Sequence, residues 1–179
     1  MMESVKQGLL DELRWARTAV VGKVDGLSEY DMRRPLTVTG TNLLGVVNHL
    51  SVWESVYLGD IFGRPFPEDV VTHEDLWVPP DRSSSDVVTR YERVGAHADD
   101  TVRALGLDTA GHVAWWPRPN VTLLNVLVHR IAETNRHAGH MDILREQLDG
   151  TTSEDQPLDV ASLKTRFEQI EHAAKTAAH

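Results

Sequence analysis

Residues 122–150, TLLNVLVHRIAETNRHAGHMDILREQLDG, decide the fold. Leu123, Leu124, Val126, Leu127, Ile131 and Leu144 recur at helical spacing, Asn120 or Thr122 can begin the segment, and Gly150 ends it. At about 1.5 Å per residue this predicts roughly 40 Å of helix, long enough to be one member of a bundle. Glu133 and His137 lie four residues apart, so their side chains leave the same face about one turn from each other.

Upstream, Thr41 can cap a helix through Leu43, Leu44, Val47, Leu50, Trp53, Val56 and Tyr57, ending near Gly63-Arg64-Pro65. His49 sits on its apolar stripe and is expected to point inward. A first helix is expected over Glu3–Val24, followed by a short helical turn around residues 27–31. Residues 65–81 hold four of the eight prolines without a sustained period and read as a long loop. Ser83, Ser84 or Ser85 can then cap a third long helix that runs to about Leu105 before Gly106. An irregular stretch carries His112, Trp115 and Trp116, and Pro157 opens a final amphipathic segment with Leu163, Phe167 and Ile170. No strand alternation of useful length is present. The expected fold is all-α: a four-helix bundle over residues 1–150, with residues 151–179 a helical appendage of the same domain.

Composition narrows the function. A chain of 179 residues, 41% hydrophobic and 25% charged, suits one globular domain. Its formal net charge of −9 and short basic clusters such as Arg33-Arg34 argue against nucleic acid as a partner. No apolar run approaches the roughly 20 residues that cross a bilayer, and the N-terminus lacks the basic-then-apolar order of a signal peptide, so a cytoplasmic location and no membrane partner are expected. Cysteine is absent, which removes disulfides, thiolate metal ligands and a cysteine nucleophile. Any thiol chemistry must import its thiol.

Imidazole nitrogen and carboxylate oxygen suit first-row divalent ions, and three protein ligands leave a coordination position open. His49, Glu133 and His137 offer such a set. Taken singly, His49 also reads as a buried histidine bonded to a backbone carbonyl, and Glu133 with His137 as an ordinary helix-surface pair. The pattern H-E-x-x-H is missing, which argues against peptide hydrolysis of the zinc-protease kind.

The segment Glu133-Thr134-Asn135-Arg136-His137-Ala138-Gly139-His140, set against an inward His49, resembles the DinB-like superfamily. In that superfamily the second helix supplies one histidine, and a later long helix supplies a His or Glu and then a His four residues on. Members often follow the last ligand with Arg-Gly-Gln; this chain has Ala138-Gly139-His140 instead. The longer run from His129 to Gly150, with Asn48-His49-Leu50 and Trp53-Glu54, is similar to the mycothiol transferase branch, related to the mycothiol-dependent maleylpyruvate isomerases.

The resemblance implies a DinB-like fold and a divalent metal ion, zinc by expectation, on His49, Glu133 and His137. It also implies mycothiol as co-substrate, conjugated through its sulfur to a small electrophile. Trp53, Arg136, His140 and Arg145 are candidates for holding the thiol or the electrophile, and Trp77, Trp115 and Trp116 for walling an apolar pocket. His129 and His140 can each line the site, support a ligand or replace one. His73, His97, His112, His172 and His179 read as surface or loop residues. A homodimer is expected from the family's habit. A non-enzymatic metal-binding stress protein, a thiol-dependent isomerase and a metal hydrolase stand as alternatives.

Overall fold

The structure is a computed structural model that describes residues 2–68, 76–151 and 160–177. Four long helices build it: α1 (Met2–Gly22), α3 (Leu43–Leu58), α4 (Ser84–Ala104) and α5 (Leu123–Asp149). The short α2 (Glu29–Arg33), a 3-10 turn at Asp60–Phe62 and two strands, β1 (Ala110–His112) and β2 (Asn120–Thr122), connect them, and α6 (Val160–Ala177) follows. The all-α expectation holds apart from this small hairpin. Pro157 and the expected opening of the last segment lie outside the described residues.

Local chemistry sets most boundaries. Asn42 rather than Thr41 caps α3, because its side-chain oxygen accepts from Gly45 N at 2.8 Å. Ser83 caps α4 and Thr122 caps α5, the latter in a reciprocal box with Asn125. Gly150 stops α5 in the left-handed region at φ 75°. α1 ends at Gly22, two residues before Val24.

Two apolar clusters show how the helices run. One joins Val20 and Val24 to Leu43, Leu44, Val47 and Leu50 of α3, Val87 and Tyr91 of α4, and Met141 and Leu144 of α5. The other joins Leu10 and Leu13 to Leu58, Val102, Leu123 and Leu127. α1 and α5 therefore run parallel to each other, and α3 and α4 run parallel in the opposite direction. α3 is buried on nearly every side. At Gly45 a side chain would collide with the carbonyl of Leu76, so glycine lets the backbone at Leu76 lie against the helix.

Between the clusters lies a belt of buried charge. Glu54 of α3 is fully buried, with Arg17 Nε of α1 at 2.7 Å and Arg130 Nη2 of α5 at 3.9 Å. Arg17 also donates to Asp99 of α4 at 2.6 Å, and Arg14 donates to the other Asp99 oxygen at 2.6 Å. The Glu54 oxygens meet these cations without an aligned hydrogen bond, so charge rather than directionality holds them. Burial disfavours the Arg17 cation, yet Glu54 and Asp99 more than offset this and hold its pKa above the ordinary value. Arg130 is shifted down by burial, against the pull of Glu54. Gly95 gives Arg17 its room, since a Cβ there would lie 3.2 Å from Arg17 Cδ.

At one end, Glu29 of α2 accepts from Ser84 N at 3.1 Å, from the Ser84 hydroxyl, and from Arg33 Nε at 2.7 Å. The Ser84 bonds foremost, then Arg33, bring its pKa from 4.5 down to about 2. Among the described residues no helix is long and apolar enough to cross a membrane.

Two outcomes follow. Glu54→Ala leaves the buried Arg130 guanidinium without its carboxylate and Arg17 with Asp99 alone, and should destabilise the protein by about 3–5 kcal/mol in denaturant unfolding; a loss below about 1 kcal/mol would mean the belt is solvated. Because the Glu29 pKa is depressed by folding, its contribution is present above pH 4.5 and fades towards about pH 2. Glu29→Gln should flatten the acid limb of stability in that window, as urea midpoints measured against pH will reveal.

Candidate functional site

Antiparallel α3 and α5 bring two stripes face to face. On α3, His49, Trp53 and Tyr57 follow one another at four-residue spacing; on α5, so do His129, Glu133 and His137. Opposite directions pair the far ends: the His49 and His137 rings lie 4.8 Å apart between centroids, and those of Tyr57 and His129 lie 5.1 Å apart. Trp53 sits between, 6.4 Å from His49 and 5.8 Å from Tyr57. Each stripe is about 12 Å long at the helical rise.

At the histidine end, the His137 side chain is only 12% exposed. Both of its ring nitrogens are buried with no hydrogen-bond partner in the protein. Burial first, then the neighbouring His49, Arg136 and His140, push its pKa down to about 4 against the opposing pull of Glu133. The ring is therefore neutral at physiological pH and offers a lone pair. Glu133 Oε2 lies 3.6 Å from His137 Nε2 and accepts from the exposed Arg136 at 3.0 Å. His140 is exposed and turns its ring edge-on to His137 at 5.5 Å. Among the described residues, no three His, Asp or Glu side chains draw together as a ready metal cluster.

The other end is aromatic. The loop of the β1–β2 hairpin carries Trp115 and Trp116, whose indole N–H groups donate to the Tyr57 hydroxyl oxygen at 3.1 and 3.0 Å. With two donors on its oxygen, Tyr57 keeps its own O–H to donate. Trp116 packs edge-on to His129 at 4.7 Å, and burial, then Arg130, lower the His129 pKa. Arg130 places its cation 5.7 Å from the Tyr57 ring centre, which ties this end to the buried belt.

The seam thus gathers His49, Trp53, Glu133, Arg136, His137 and His140, with His129, Trp115 and Trp116 alongside. Two candidates lie elsewhere. Arg145 is buried and donates to Lys23 O at 2.8 Å, Asp25 O at 3.3 Å and Asp149 at 2.9 Å, fastening the end of α1 to α5. Trp77 lies beside Arg33 and Asn42. His97 bonds Arg64 O at 2.7 Å, His112 bonds Asn120 at 3.0 Å and His172 is exposed on α6. His73 and His179 fall outside the described residues. Tyr57 escaped the sequence reading, which treated it as one more apolar position. Its four-residue spacing from Trp53 and His49 was the available signal.

A cleft of about 730 Å³ opens at the opposite seam, between α1 and α4, lined by residues such as Val21, Met32, Val88 and Tyr91. It lacks the convergent histidines. Volume alone does not locate chemistry, and the polar groups of the α3–α5 seam outweigh it.

A comparison with curated proteins gave no match. The Mycothiol-S-transferase family model matches residues 8–150, a span that includes all four bundle helices beyond the first turns of α1. The chain belongs to the Mycothiol-S-transferase family.

Proposed function

We propose that this protein is a cytoplasmic mycothiol S-transferase that joins mycothiol to a small electrophile at the α3–α5 seam, with a divalent ion, zinc in our reading, held by His49, Glu133 and His137. The observation that carries the reading is the pair of unpartnered, buried ring nitrogens of His137 beside His49. Buried polar atoms without partners are rare, and metal coordination is one way to satisfy them. Two imidazoles and a carboxylate suit such an ion. The chemistry it supplies is a lowered thiol pKa, which makes sulfur nucleophilic at neutral pH in a chain without cysteine.

The protein's own groups perform the rest. Burial keeps His137 deprotonated and able to donate electrons. Arg136 steadies the Glu133 carboxylate and, with His140, lies at the open side of the seam where an anionic group of thiol or electrophile can bind. Trp53 and the hairpin tryptophans give an apolar wall, and the Tyr57 oxygen, accepting from both hairpin indoles, leaves its O–H as a donor. In the reaction a carbon–sulfur bond forms, the thiol proton passes to solvent and the electrophile's leaving group departs. Residues 1–150 are assigned as the working unit and residues 151–179 as its appendage.

His49→Ala, Glu133→Ala and His137→Ala should each lower metal content sharply and abolish mycothiol conjugation while the helical circular dichroism persists. Unchanged metal content in all three would sink the ligand assignment; turnover of an ester without thiol would replace the transferase by a hydrolase. A second outcome concerns pH in the metal-free protein. Folding lowers the His137 pKa from 6.5 to about 4, so the unfolded chain binds the extra proton in that window. Stability from the neutral ring is complete above pH 6.5 and is lost as pH falls towards 4. His137→Gln should weaken this dependence in chelator-treated samples; a histidine NMR signal for His137 titrating near 6.5 would show that the ring is solvated.

A further inference from the structure

Tyr57 carries a donor that the fold leaves unspent. The residue is only 6% exposed, and its oxygen accepts the Trp115 and Trp116 indole N–H groups at 3.1 and 3.0 Å. Those bonds take both lone pairs of the phenol oxygen, so the one remaining hydrogen can only be donated. Among the described residues no acceptor takes it. Buried tyrosine hydroxyls usually find a partner, and an exception calls for a bound molecule or a water to complete it. Both indole bonds lie at the half-buried margin of the seam, beside half-buried Trp53 and His129 and exposed Trp115, the side from which a bound molecule approaches. Tyr57 lies eight residues along α3 from His49, about 12 Å of helix. Helical side chains lean towards the N-terminus of their own helix. Tyr57 therefore leans back towards Trp53, while Glu133 and His137 of antiparallel α5 lean towards the level of Tyr57, and the two ends approach each other across the Trp53 indole.

We infer that Tyr57 is a catalytic proton donor, and that the electrophile belongs to the class in which oxygen receives the displaced electron pair, as in an epoxide borne on an aromatic or other apolar group. The inference rests on the transferase reading and adds to it the acid and the kind of electrophile that needs one. Thiolate sulfur at the histidine end attacks carbon beside Trp53. The carbon–oxygen bond breaks with its electron pair on oxygen, and Tyr57 gives that oxygen its proton. An alkoxide is a far stronger base than a phenolate, so the transfer runs downhill. While the phenol gives up its hydrogen, the two indole N–H groups stay on its oxygen and the Arg130 cation lies 5.7 Å from its ring centre. Solvent then returns the proton to Tyr57, and the product is a thioether carrying a neutral hydroxyl. A halide leaving group needs no proton and gains nothing from this hydroxyl.

The test compares styrene oxide with benzyl chloride, which share a ring and a benzylic carbon and differ in the atom that leaves, with mycothiol and metal-loaded protein. Tyr57→Phe should lower kcat/KM about a hundredfold or more for styrene oxide and about threefold or less for benzyl chloride, with the KM for mycothiol unchanged. Equal losses for the two electrophiles would mean that the hydroxyl only seats the hairpin, and a rise confined to the mycothiol KM would mean that it binds an oxygen of the thiol; either overturns the proposal. A second readout needs neither thiol nor metal. In chelator-treated protein the infrared carbonyl stretch of bound acetophenone should fall in wild type and return in Tyr57→Phe to its value in an apolar solvent. An unshifted carbonyl in wild type would likewise overturn the donor assignment. Should wild type turn over neither electrophile, the transferase reading fails, and the carbonyl shift still decides whether Tyr57 donates to a bound oxygen.

Discussion

The contact on which the rest of the structure depends is the buried carboxylate of Glu54 between Arg17 and Arg130. It sits where an apolar residue would be the simpler choice, at the level between the two apolar clusters. Through Glu54 and Asp99 it links all four long helices. Apolar packing tolerates small shifts of one helix along another, whereas a buried charge tolerates few positions, because leaving its partner exposes it to a costly desolvation. The belt therefore sets the height of each helix relative to its neighbours.

That height matters at the α3–α5 seam. His49 and Glu54 share α3, and Arg130 and His137 share α5, so the register that joins Glu54 to Arg130 also sets His49 opposite His137. A shift by one turn would carry His49 about 5.4 Å along α5 and away from that ring. The same belt reaches the aromatic end through Arg130, which lies close to both Tyr57 and Leu50. The seam thus has a rigid floor. Its mouth is formed by side chains of a different kind, the exposed Arg136 and His140 and the hairpin-borne Trp115.

Much of this was legible in the chain. Apolar periodicity and capping residues reveal α1, α3, α4 and α5 because a helix buries one face, and that face must recur every three or four residues. The histidine and glutamate of α5, and the inward place of His49, follow from the same periodicity. The hairpin was not legible, since three-residue strands carry too few alternating positions to register, and its pairing instead satisfies backbone groups between α4 and α5. Arg145 looked like a ligand for an anion because guanidinium chemistry is the same whether its acceptor is a substrate or a carbonyl. In the fold Lys23 O, Asp25 O and Asp149 take its donors.

By itself, then, the sequence determined which segments are helical, that the chain has no thiol of its own, and that α5 carries Glu133 and His137 on one face. These are local properties, set by spacing and residue type. Only the tertiary structure decided that α3 and α5 run antiparallel with His49 against His137, that Tyr57 receives both hairpin indoles, and that Glu54 is the buried partner of two arginines. Each of these joins residues dozens of positions apart, and their meeting depends on how four helices share one core, which no local pattern encodes.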